Sequence, residues 1–124
     1  MPFAPGRPIA EAKADLFKAL AHPARVRVLE LLAEGEHTIG ELTEETGLEL
    51  SHLSQQVTVL RRAGIVDSRR VKNTVVCSLR DQQTAELLAV ARRMLTQNLR
   101  QDQALLAALD GSHDAVSLAD AGRS

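Results

Sequence analysis

Residues 51–66 read SHLSQQVTVLRRAGIV. At 100° per residue, Leu53, Val57 and Leu60 fall within about 60° of one another, so the stretch predicts an amphipathic helix with a defined buried face. The opposite side carries Ser51, Gln55, Thr58 and Arg62 at i, i+4, i+7 and i+11, flanked by His52, Ser54 and Arg61. Short hydroxyls, a glutamine able to pair with adenine and arginines for phosphate or guanine suit a DNA major groove. They also suit a face that is merely solvated, and the flanking sequence has to separate the two readings.

Upstream, Thr38-Ile39-Gly40-Glu41 fits the capping box, in which a threonine and a glutamate three residues later satisfy each other's free backbone donors. A short helix over 39–46 follows. Gly47 suits a left-handed stop, and the next helix starts near Ser51. Two short helices joined by such a turn are the sequence form of a helix-turn-helix, here over about 38–63.

Downstream, Gly64 ends the helix, and the β-branched segments 66–71 and 75–79 flank Lys72-Asn73-Thr74. This predicts a two-stranded hairpin with Asn73 in the turn and Val75, Cys77 and Leu79 on one face. Arg69, Arg70 and Lys72 lie near its tip, where a basic wing over about 66–80 could reach phosphates beside the groove.

Helical spacing of Ile9, Ala12, Leu16 and Leu20, with Phe17 beside them, predicts a first helix over 9–21. His22-Pro23 breaks it, and Pro23 can open a second helix because its missing N–H would have been unpaired there. That helix carries Val26, Val28, Leu29, Leu31 and Leu32 and stops near Gly35. Over 82–109 the helical period returns, with Leu87, Leu88, Ala91, Met94, Leu95, Leu99, Leu105, Leu106 and Leu109 in a wide stripe. Beyond Asp110 the sequence is small and polar and reads as a flexible tail over 111–124.

With 124 residues, 44% hydrophobic and only 2% aromatic, the chain is expected to form one mainly α-helical domain over 1–110 with a small β-hairpin. It holds no run of about 18 apolar residues that could span a membrane. The start has no secretory pattern, and the lone Cys77 agrees with a reducing, cytoplasmic location. The net charge of −1 conceals segregation: residues 30–49 hold seven glutamates and no Lys or Arg, whereas 61–80 hold Arg61, Arg62, Arg69, Arg70, Lys72 and Arg80 against Asp67 alone. Because salt screens charges beyond roughly 10 Å, a local basic patch on a neutral protein can still bind phosphate. No phosphate loop, nucleophile elbow or close Cys/His pair points to an enzyme. With no Trp or Tyr and only Phe3 and Phe17, stacking on single-stranded nucleic acid is disfavoured.

In this order and spacing, LFKALAHPARVRVLELLAEGEHTIGEL, LSHLSQQVTVLRRAGIV and SRRVKNTVVCSL resemble the ArsR/SmtB family of winged helix-turn-helix repressors. The match covers about residues 16–80, roughly half of the chain. The resemblance implies a homodimer joined through the first and last long helices, with Leu16, Leu20, Leu88, Leu95, Leu99 and Leu106 at the interface. It implies double-stranded DNA with an inverted repeat as partner, read by Ser51, His52, Ser54, Gln55, Thr58, Arg61 and Arg62, with Arg69, Arg70 and Lys72 on the wing. Independently, the last stripe is wider than so small a core needs, and its spare leucines call for a partner helix.

Many members of this family release DNA on binding a metal. The arsenic and cadmium type carries Cys-Val-Cys-Asp-Leu at the start of the third helix; aligned on Glu41-Leu42, its cysteine positions hold Thr38 and Gly40 here, which do not bind a soft metal. The zinc type uses histidines of the last helix, and residues 82–110 contain none. Paired-cysteine sensors need two thiols; Cys77 reads better as a small buried apolar residue than as a switch. Of the histidines, His22 suits a helix cap, His37 lies among glutamates, His52 flanks the reading face and His113 falls in the tail. The expectation is therefore no cofactor, with nickel or zinc at a non-standard His site, or a signal sensed by a partner protein, as alternatives.

Overall fold

A computed structural model describes residues 8–112. In chain order the elements are α1 (Ile9–Leu20), α2 (Pro23–Glu34), β1 (His37–Thr38), α3 (Ile39–Thr46), α4 (Leu50–Arg62), β2 (Val66–Val71), β3 (Thr74–Leu79) and α5 (Gln83–Ser112). The chain divides into two compact units, one ending at Leu87 and the other beginning at Leu88, and each is described by itself.

The helix boundaries follow local chemistry. Pro23 opens α2, and the His22 side chain caps it by accepting the Ala24 N–H at Nδ1, 3.1 Å away. At α3 the capping box closes in both directions: Glu41 N–H donates to Thr38 Oγ1 at 3.0 Å and Thr38 N–H to Glu41 Oε1 at 2.8 Å. Gly47 ends α3 at φ 73° and donates its N–H to the Thr43 carbonyl. A Cβ there would meet nothing within 4 Å, so glycine is required by the left-handed backbone of the helix-turn-helix and not by space. At the other end of α4, Gly64 takes φ 78° while Ile65 N–H bonds Leu60 O and Gly64 N–H bonds Arg61 O. This double closure turns the chain from helix into wing.

The sheet is antiparallel, in the order β1-β3-β2, and its third strand was not expected. His37 pairs with Cys77 and Thr38 with Val76, so the two residues before α3 anchor the helix-turn-helix to the wing. The hairpin also corrects the expected turn. Val71 pairs with Thr74, leaving only Lys72-Asn73 between the strands, and Lys72, not Asn73, holds positive φ at 55°. Cross-strand pairing claims Thr74 for the ladder, which shortens the turn.

Val28, Leu29, Leu42, Leu53, Leu60, Val66 and Cys77 are fully enclosed and form the core of the first unit. It joins α2, α3, α4 and the inner face of the wing, as the apolar spacing required. In the second unit α5 is a continuous helix through Ser112, two residues into the expected tail; the rest of that tail, His113 included, lies outside the described residues. Among those residues, no helix is long and apolar enough to cross a membrane.

Candidate nucleic-acid interface

The core fixes which side of α4 is free. Leu53, Val57 and Leu60 are buried, and rotation by half a turn exposes Ser51, His52, Ser54, Gln55, Arg61 and Arg62, with Thr58 half-buried. Thr58 Oγ1 donates to the Ser54 carbonyl at 2.8 Å, which holds the hydroxyl against the helix while its lone pairs still face outward. Ser54, Gln55, Thr58, Val59 and Arg62 line a shallow open groove along this face. A second small cleft lies where α4 meets the wing, between Ser54, Thr58 and Arg61 on one side and Ser68 and Val75 on the other.

Strand alternation separates the wing's cations. Arg70 stands opposite Val75, and Ser68 opposite Cys77; directly paired residues share a face, so Arg70 lies on the side that packs against the helices. Arg69 lies on the other face and makes a two-pronged ion pair with Glu36, at 2.6 and 2.9 Å. The Arg69 hydrogen bonds hold the Glu36 carboxyl below its usual range. Arg69 is therefore a strut from β2 across the sheet to the residue before β1, and its charge is already matched. Of the three wing cations expected at DNA, Arg69 thus has an acidic partner in the free protein, while Arg70 and Lys72 have none among the described residues. Arg80 is likewise taken by Asp67 at 2.8 Å. Among the described residues Arg61, Arg62, Arg70 and Lys72 have no ion pair.

Two residues that sequence reasoning passed over link α4 to α2 and α1 by hydrogen bonds. Gln56 is only 8% exposed, and its Oε1 accepts from Arg25 Nη1 at 3.0 Å while Arg25 Nε donates to the Ala19 carbonyl at 2.7 Å. The signal was present: on the helical wheel Gln56 falls at the margin of the arc set by Leu53, Val57 and Leu60.

Thr38, Gly40 and His22 are each unsuited to a metal. Thr38 is engaged in the capping box and Gly40 has no donor side chain, so no ligands stand where the arsenic and cadmium type has its cysteines. His22 Nδ1 receives a backbone N–H, which puts the proton of the neutral ring on Nε2 and leaves no lone pair for a metal. Among the described residues no three His, Cys, Asp or Glu side chains converge in an ion-holding cluster. Cys77 is fully buried, with Ser68 Oγ 3.7 Å from its sulfur; burial pushes the thiol pKa up, which disfavours the reactive thiolate.

The residues expected at a dimer interface differ in exposure. Leu16 and Leu20 line a cavity of about 400 Å³ with Gly64, Ile65 and Leu87. Leu20 is already buried, whereas Ile9 and Phe17 on α1 are 66% and 56% exposed. Leu88 is half-buried, and Leu95, Leu99 and Leu106 are open to solvent.

Comparison with known proteins agrees with this architecture. The family model described as "Bacterial regulatory protein, arsR family" matches residues 22–68. The HTH-type transcriptional regulator Rv0081 of Mycobacterium tuberculosis is 51% identical over 100 residues, covering 80% of this chain and 88% of the relative. Its crystal structure superposes with a TM-score of 0.71, covering 78% of this chain and 98% of that one. The transcriptional repressor BigR of Xylella fastidiosa, 36% identical, superposes with a TM-score of 0.65 over 68% of this chain and 87% of its own. A winged helix-turn-helix with an exposed polar helix, matched over most of its length by such relatives, identifies the chain as a member of the ArsR family of bacterial regulatory proteins, DNA-binding regulators of transcription.

Proposed function

We propose that this regulator is a repressor that binds an inverted-repeat operator as a homodimer. The observation that carries the proposal is the outward face of α4, where Ser51, His52, Ser54 and Gln55 are exposed and Thr58 half-buried, and where Ser54, Gln55, Thr58, Val59 and Arg62 line a shallow groove. In helix-turn-helix proteins the N-terminal part of the second helix meets the base edges, and these residues occupy that part. Arg61, Arg62, Arg70 and Lys72 are the cations for phosphate; Arg69 acts indirectly, by bracing the wing through Glu36.

The dimer is supported by Leu95, Leu99 and Leu106, which are 70%, 59% and 60% exposed on one side of α5. An apolar row of that kind is an association surface in a water-soluble protein. Two-fold symmetry would set the recognition helices one DNA turn apart, ~34 Å. Relatives named as biofilm growth-associated repressors, including one from Agrobacterium fabrum at 44% identity over 75 residues, favour repression. We further propose that a partner protein supplies the signal. Titration with Ni²⁺ and Zn²⁺ addresses this directly: a tight metal complex that changes operator affinity would overturn it.

Footprinting on DNA upstream of the protein's own gene tests the main proposal. Two protected blocks, centred one turn apart and related by inverted symmetry, are expected. Uniform, sequence-independent protection would contradict base reading.

A further inference from the structure

Gln56 is the one polar side chain buried in the core of the described residues. It lies on the recognition helix immediately after Gln55, and it points the other way, into α2. Its partner Arg25 is half-buried in the first turn of α2 and uses two different edges of its guanidinium. Nη1 meets Gln56 Oε1 at 3.0 Å and Nε meets the carbonyl of Ala19, in the last turn of α1, at 2.7 Å. A planar fork with fixed donor directions holds its two acceptors at a set angle to each other. One turn earlier on α4, the His52 ring stands perpendicular to the His22 ring, with centroids 6.3 Å apart. The start of α2 thus touches α4 at two successive levels, His22 with His52 and Arg25 with Gln56.

We propose that Arg25 and Gln56 are a positioning pair that sets the rotation and axial placement of α4 and links that placement to α1. Capping the end of α1 needs only the bond to Ala19, which a cation near a helix C-terminus makes readily. The bond to Gln56 does something else. A buried amide that loses its partner is penalised, so α4 cannot slide or turn without losing this contact. A displacement of α1, the helix on which the proposed dimer contact begins, moves the Ala19 carbonyl and forces Arg25 to follow it or to keep Gln56. The pair is then a mechanical route from the subunit interface to the base-reading face, and its DNA readout rests on the function proposed above.

The test uses the full chain and two duplexes: one selected by the wild type from a random-sequence pool, and a shuffled duplex of equal length. Arg25→Ala and Gln56→Leu are each expected to weaken binding to the selected duplex roughly ten-fold, while binding to the shuffled duplex changes by less than about two-fold. The double substitution Arg25→Ala/Gln56→Leu should be no worse than the poorer single, and Gln56→Glu, which keeps an acceptor for Arg25, should retain selectivity. Arg25→Lys keeps the charge and loses the fork, so a loss of selectivity in this milder variant supports the proposal even where Arg25→Ala fails to fold. Unchanged selectivity in folded Arg25→Ala and Gln56→Leu, or losses that multiply in the double, overturns it. Hydrogen exchange on the free protein gives a second reading. The amides of α4 should exchange faster in Arg25→Lys while those of β2 and β3 do not, and equal α4 exchange overturns the pair regardless of DNA. Failure of the wild type to select any sequence would instead refute base reading and leave the exchange result to decide the role of Arg25.

Discussion

Helix α4 and the part of α5 beyond Leu87 have similar apolar rows and opposite surroundings. Leu53 and Leu60 are completely buried, whereas Leu95 and Leu99 are 70% and 59% exposed. A row that is buried within its own unit fixes the helix and frees the opposite side for polar work. A row that is left open is the surface on which the proposed dimer rests, since each leucine side chain that becomes buried gains about 1.5–3 kcal/mol. The same pattern therefore specifies fold in one place and, under the proposed dimer, assembly in the other.

The sharpest way to break this contrast is to truncate one leucine from each row. Leu60→Ala removes a side chain with no exposed surface and is expected to destabilise the fold by ~2–5 kcal/mol, read as a lower denaturation midpoint. Leu99→Asp should leave the far-UV circular dichroism of the first unit intact and shift sedimentation from two chains to one. If Leu99→Asp unfolded the protein, or left its sedimentation unchanged, the assembly role of α5 would be lost.

A smaller effect separates the two faces of the wing. Arg70→Ala should weaken binding to every duplex and lower the slope of log affinity against log salt by roughly one, as removal of a phosphate contact does. Arg69→Ala should change that slope less, because its charge is already committed to Glu36; its effect should appear as a looser wing. Equal slopes in the two variants would mean that the ion pair opens on DNA.

The smallest expected effect is with acid. Glu36 and Glu41 both have carboxyl pKa values lowered in the folded state, the first by its hydrogen bonds from Arg69 and the second by the Thr38 backbone N–H. A group whose folded pKa is depressed stabilises the fold fully above its unfolded value, about 4.3 for glutamate, and loses that contribution as pH falls through the folded value. The melting temperature should thus decline below about pH 4, and Glu36→Gln should remove part of the decline. Both carboxyls are exposed, so the change is expected to be slight.

Much of the fold was legible because its signals are local. The Thr38 box, Pro23, Gly47 and Gly64 each satisfy or release specific backbone groups, and α3 begins and ends where they indicate. Strand β1 was not legible, since two residues carry no period and pair only through the distant Val76 and Cys77. The tip turn was placed correctly around Asn73 but drawn one residue too long, because the pairing of Thr74 with Val71 depends on cross-strand register. At the site, the exposed face of α4 followed from its wheel. The commitment of Arg69 to Glu36, 33 positions away in sequence, and the Arg25–Gln56 contact depend on tertiary packing, which spacing along one element does not encode.

Selection from a random-sequence pool, carried out in parallel with the wild type and with Gln55→Ala, tests base reading by α4 most directly. Gln55 is exposed on the reading face and makes no hydrogen bond to the core, so its removal should leave the fold and the wing contacts unchanged. The expected result is the same operator with one position relaxed in each half-site, at a cost of ~1–3 kcal/mol there. An identical base preference at every position in both proteins would contradict it.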